Sequence, residues 1–256
     1  MLLARSMGSA STAPNVTTWS TTLTGSSTTN KSGTYPGTGT LSGGRLLVVV
    51  VCWSGTSGCT LSSMSDSVGN TYVVVSQTTS AGGTFPGVAI AYSATTRPIV
   101  RGTTTFTCTM SSAVTIFAAA WHSWELLRTT TPPNVTAHGS ATGNSTAVAI
   151  SSAAGVNVAG TRMASVFGAC WTSTNTGTAG GSYTETYDGA VSTSRYYAAR
   201  RFDLAPGTAL APAATIATAA TDWAAVSVSW SQYRANRREA PTPRQSRPAV
   251  TTSARF

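Results

Sequence analysis

Charge is what this sequence most lacks. Only 9% of its 256 residues are Asp, Glu, Lys or Arg, against roughly 25% in an ordinary soluble protein. Acids are the scarcest: seven carboxylates, Asp66, Glu125, Glu185, Asp188, Asp203, Asp222 and Glu239, beside two histidines, His122 and His138. An enzyme that moves protons would have to draw on these nine groups. Long apolar runs are missing too. No stretch reaches the roughly 18 unbroken apolar residues of a membrane helix, so no membrane span is expected. The opening Met1-Leu2-Leu3-Ala4-Arg5 is too short an apolar run for a secretory signal, and export, if any, is expected by a route such as lysis. The four cysteines, Cys52, Cys59, Cys108 and Cys170, form no CxxC pair, which with two histidines argues against zinc. Cys52 and Cys170 each precede a tryptophan at the end of an apolar run, where a small buried thiol is expected rather than a disulfide.

What remains is Ser, Thr, Ala, Gly and Val. Apolar residues still make up 41% and arrive in blocks such as Leu46 to Trp53, which is not the low-hydrophobicity, high-charge signature of disorder. Short Thr/Val-rich runs cut by Gly, Ser and Asn read as strands and turns. The fold class expected is all-β.

An internal repeat organises the chain. Pro14-Asn15-Val16-Thr17 recurs as Pro133-Asn134-Val135-Thr136, Cys52-Trp53 as Cys170-Trp171, and the segment ending at Trp124 matches the one ending at Trp230. The offsets are 119, 118 and 106 residues, in one order. The expectation is two similar, jelly-roll-like β-sandwich halves from a duplication: residues 15–128 and 134–233, after an extension at 1–14. A Thr/Pro linker at 129–133 breaks strand pairing between them. Strands are expected near 16–24, 45–53, 70–77, 87–94, 103–110 and 115–124, then 143–151, 161–171, 181–187, 193–203, 211–218 and 222–231. Leu46 to Cys52 is apolar at every position and so must be covered on both faces, as a central strand or against the other half. Near the end, Ala224, Val226, Val228 and Trp230 share one face, and the opposite face with Ser227 and Ser229 reads as outward.

The Gly43-Gly44-Arg45-Leu46-Leu47-Val48-Val49-Val50 run resembles, with Ser65-Asp66-Ser67-Val68-Gly69-Asn70-Thr71-Tyr72 after it, a widespread β-sandwich module. The Thr-rich strand from Thr103 to Thr109 and the Ala/Trp strand at 118–124 continue the same order. The pattern is similar to minor tail and virion-surface proteins of actinobacterial phages and to some bacterial surface proteins. It implies a mechanical role on a virion assembled in the host cytoplasm, as a minor tail or capsid decoration protein, and it transfers no catalytic residue.

His122, within Trp121-His122-Ser123-Trp124, is expected as a hydrogen-bonded core or interface histidine, and His138 as solvated in a loop. Glu185 and Asp188, three apart in a strand, fall on opposite faces, which argues against a glycosidase pair. Asp66 and Asn70 could offer oxygens to calcium, but turn formation explains both. Arg195, Tyr196, Tyr197, Arg200 and Arg201, with Phe202, form a basic-aromatic stretch suited to nucleic acid or to a protein interface, and the interface is favoured. Of the net charge of +9, five units lie in Tyr233 to Phe256, through arginines that include Arg234, Arg237, Arg238, Arg244 and Arg247. This Pro-rich segment reads as a flexible arm that clasps an acidic neighbouring subunit. The expected partners are thus other virion subunits within an oligomeric particle, with a host glycan as an alternative ligand. Nucleic acid is disfavoured, and no cofactor or metal is implied. A carbohydrate-binding or adhesive module, with Trp19 or Tyr183 as an exposed platform, is the rival reading, and a hydrolase is the least supported.

Overall fold

A computed structural model describes residues 17–82, 85–95, 97–125, 134–159, 162–217 and 221–232. All of the regular structure in them is β. In chain order the strands are β1 Thr17–Thr34, β2 Thr40–Leu41, β3 Arg45–Ser54, β4 Leu61–Asp66, β5 Val73–Thr79, β6 Pro86–Thr95, β7 Ile99–Val100 and β8 Thr105–Glu125. The second half continues with β9 Val135–Ser145, β10 Ala147–Ala149, β11 Ala153–Ala154, β12 Arg162–Trp171, β13 Gly177–Gly180, β14 Thr184–Val191, β15 Ser194–Leu204, β16 Ala209–Leu210, β17 Ala213–Ile216 and β18 Thr221–Gln232.

The two main sheets repeat one topology. The first runs β1-β8-β3-β6-β5 and the second β9-β18-β12-β15-β14, which in each half is the order first, last, second, fourth, third. All these pairings are antiparallel. The hydrogen-bonded register reproduces the offsets read from sequence. Cys52 pairs with Ala118, and Cys170 with Ala224; Leu46 pairs with Trp124, and Ala164 with Trp230. Thr17 pairs with Ser123, as Thr136 pairs with Ser229. Even a defect is copied: the edge strand of each half skips one residue at the same place, Val75 in β5 and Thr186 in β14. A bulge inserts one residue and turns the strand at that point, and its recurrence in register is a mark of a duplicated unit. The two halves are β-sandwiches from an internal duplication.

Three cores hold the layers. β3 is central, and its alternating side chains enter two of them. Leu47, Val49, Val51 and Trp53 face a first core closed by Leu61 and Met64 of β4 and by Phe106, Cys108 and Met110 at the start of β8. Leu46, Val48, Val50 and Cys52 face Ala164, Val166, Cys170, Val226 and Trp230 of the other half. Both coverings expected for the all-apolar run therefore occur. In the second half, Phe167, Ala169 and Trp171 pack on Val148, Ala214 and Ile216 of the small sheet β10-β17-β13. The halves approach closely because small residues line the seam: a Cβ on Gly168 would sit 2.4 Å from Val50 Cγ1. The contacts across it exchange as the duplication requires, β5 packing on β18 and β9, and β14 on β8 and β1.

Some expectations need correction. The strands expected at 103–110 and 115–124 are parts of one long strand, β8, which starts at Thr105. β4 and β9 carry alternating polar residues with little apolar content (LSSMSD and VTAHGSATGNS) and escape a periodicity argument. Ser227 and Ser229 do lie on the face opposite Val226 and Val228, but that face is covered too. Ser227 donates to the Val166 carbonyl (3.1 Å), and the Ser229 hydroxyl accepts from the Val156 amide (3.1 Å). Serine is tolerated there because each hydroxyl has a backbone partner.

Candidate interaction surface

The basic-aromatic stretch is β15, one strand in from the β14 edge. Strand alternation sends its aromatic residues inward on both sides. Tyr196 enters the core between the halves and Tyr197 the core of the second half, and both are buried. Neither tyrosine is available as a contact for another chain, because both faces of this strand are covered. The arginines stay nearer the surface. Arg195 pairs through Nε with the Asp188 carboxylate and donates to the Thr174 carbonyl at 2.9 Å. That hydrogen bond to Asp188 is the main cause that raises its pKa. Arg201 donates to the Gly181 carbonyl (3.3 Å) and lies 5.9 Å from the Tyr183 ring centre. Arg200 sits 4.8 Å over the Phe202 ring, and burial lowers its pKa.

The bulge at Thr186 overturns one expectation. It adds a residue between Glu185 and Asp188, so Glu185 pairs with Ala199 and Asp188 with Tyr197, two positions of one face. The two carboxylates therefore share a side of the sheet. Burial and then the Asp188 charge raise the Glu185 pKa, while Arg195 opposes them. Asp188 is itself engaged, one oxygen by Arg195 and the other by the Gly177 amide at 3.2 Å. It is a fixed structural carboxylate that anchors the loop before β13.

His122 is fully buried on the seam, where its Nε2 hydrogen-bonds Thr186 Oγ1 of the other half at 2.9 Å. Burial, then the Arg200 charge, pushes its pKa down to about 3. It is a neutral interface histidine. His138 is not solvated: it is the bulge residue of β9, is buried, and has its pKa lowered by that burial.

The Asp66–Asn70 segment is a locked turn. Asp66 accepts from the Asn70 amide (2.8 Å) and Asn70 Nδ2 (2.9 Å), and the Tyr72 and Tyr35 hydroxyls reach it at 3.2 and 3.4 Å. Gly69, at φ 87°, takes the left-handed position that the turn needs. With internal donors on both carboxylate oxygens, the group anchors the turn. Among the described residues no three of His, Cys, Asp or Glu gather as metal ligands.

Tyr183 is buried, with its hydroxyl 2.8 Å from Ser165 Oγ, so it offers no platform to a sugar. The backbone of Trp19 pairs with Trp121. The extension at 1–14, the linker at 129–133 and the arm with Arg234, Arg237, Arg238, Arg244 and Arg247 lie outside the described residues. No protein-family model, curated protein or solved structure matches the chain.

Proposed function

We propose that this chain is a non-enzymatic structural component of a phage virion, a minor tail or capsid decoration protein that works through contacts with other subunits. The observation that carries the proposal is the division of the chain into two chemically opposite parts. Two sandwiches share one continuous apolar seam from Leu46 to Trp230, while five of the nine net positive charges lie after the last strand. A block with a shared core resists shear between its halves, and an arginine-rich segment can form bidentate, charge-assisted contacts with carboxylates of a neighbour. Arg195, Arg200 and Arg201 are the remaining candidates for such contacts in the sandwich itself. The buried neutral histidine and the engaged Asp188 agree with a scaffold role, since their partners are other parts of the fold.

The test is incorporation. Banded phage particles from a lysate containing this chain should hold it in fixed stoichiometry by mass spectrometry. A protein cut after Tyr233 should fold normally yet enter particles poorly, and 1 M salt, where screening shortens to about 3 Å, should release part of the intact protein. Full incorporation of the truncated protein would remove the clasp. Absence of the chain from particles would remove the virion assignment.

A further inference from the structure

Cys52 and Cys170 occupy the same position in the two repeats, each on the central strand of its sheet, and the seam brings them together. The Cys52 thiol lies 3.5 Å from the carbonyl oxygen of Ala169, the residue just before Cys170. The Cys170 thiol lies 3.6 Å from the carbonyl oxygen of Trp53, the residue just after Cys52. Each sulfur thus rests against the other cysteine's own stretch of backbone. Strands β3 and β12 pack against each other across the seam, and a disulfide between them needs Cα atoms about 4.4–6.8 Å apart. Small neighbours, Gly168, Ala118 and Ala224, allow this approach. Both thiols are reduced and buried, and burial, then the nearby Cys52, raises the Cys170 pKa well above its ordinary value.

We propose that Cys52 and Cys170 form a covalent modification site, a disulfide staple across the seam that closes when the assembled protein meets a small oxidant of the peroxide class. The chemistry balances in two steps. One cysteine sulfur attacks a peroxide oxygen; the O–O bond breaks, the sulfur is oxidised to a sulfenic acid, and water leaves with the thiol proton. The second sulfur then displaces the hydroxyl as water, taking up the second thiol proton, and the S–S bond forms. Two thiols and one hydrogen peroxide give one disulfide and two waters. A peroxide is small enough to reach a seam that excludes larger disulfides, and the high thiol pKa makes the reaction slow, since the thiolate is the reactive form. The closed loop would contain more than 100 residues and would add a second covalent link between the repeats, across the seam.

The full chain, folded and reduced, is treated with hydrogen peroxide and analysed by intact mass and non-reducing peptide mapping. The expected result is a loss of about 2 Da, a peptide linking residues 52 and 170, and reversal by dithiothreitol. The linked protein should melt higher by roughly 10 °C, as a cross-link closing so long a loop constrains the unfolded chain. Cys59→Ala and Cys108→Ala should keep the link, and Cys52→Ala or Cys170→Ala should abolish it. Mapping of the unsubstituted protein decides the matter if a variant fails to fold. Sulfinic acid at these positions without a cross-link, a link that uses Cys59 or Cys108, or a linked protein that melts no higher would each overturn the proposal.

Discussion

His122 of the first half hydrogen-bonds Thr186 of the second at 2.9 Å, and the repeat-equivalent residues, Val228 and Val75, are apolar members of the same seam. This polar pair thus sits on one side of a largely hydrophobic, approximately symmetric interface, which the Ser54 and Ser194 hydroxyls also cross at 2.8 Å. A buried hydrogen bond contributes about 1 kcal/mol net, but orphaning one partner costs about 1–3 kcal/mol. Thr186→Val and His122→Val should each destabilise the protein on that scale. The double variant, which installs the valines of the other side, should recover much of the loss. Chemical denaturation of the four proteins gives the coupling directly, and strict additivity would show that the pair acts independently.

The same histidine predicts a pH dependence. Its pKa in the fold is about 3, against an ordinary value near 6.5. The unfolded chain therefore takes up a proton as pH drops through 6.5, and the folded chain does not until about 3. Stability is complete above 6.5 and falls across that window, by an amount on the order of a few kcal/mol. His138, also lowered, adds in the same direction, while Glu185, raised, works against them in the acid range. Thr186 and Arg200 are the groups that face His122. Urea midpoints measured from pH 7 to pH 4 should fall less steeply for His122→Asn. An unchanged slope would assign the effect elsewhere.

The covered serine face makes a sharper claim than alternation does. Ser229→Asp should be nearly as damaging as Val49→Asp, because both bury an unpaired carboxylate at a cost of several kcal/mol, comparable with the roughly 5–15 kcal/mol of a whole domain. Ser229→Ala should cost about 1–2 kcal/mol by orphaning the Val156 amide. Circular dichroism melts of the three variants check the order, and a tolerated Ser229→Asp would mean that this face opens to water.

At the turn, Asp66→Ala removes the acceptor of the Asn70 amide and side chain and of the Tyr72 hydroxyl. A loss of about 2–4 kcal/mol is expected, with a smaller loss for Asp66→Asn. Calcium should leave the melting temperature unchanged, since the carboxylate oxygens already accept internal bonds. A rise with millimolar calcium would reinstate the metal reading.

The sequence alone determined the strands whose apolar pattern is strong and the repeat that orders them. Leu46 to Cys52 had to be covered on both sides because no polar position interrupts it. The three marker phrases carried their offsets unchanged into the hydrogen-bonded register, since antiparallel pairing ties each position to one partner. Tertiary structure decided the rest. A single bulge residue, Thr186, reversed the side taken by Asp188 relative to Glu185, and no local rule places a bulge in a Thr-rich edge strand. β9 is strand by pairing with β18, against its own polar, Gly-containing composition. Ser227, Ser229, Tyr183, Tyr196 and Tyr197 look like surface residues by type, yet all are buried, because layers from distant parts of the chain cover both faces of the second sheet. Periodicity reports which residues share a face. Which faces meet water depends on what folds over them.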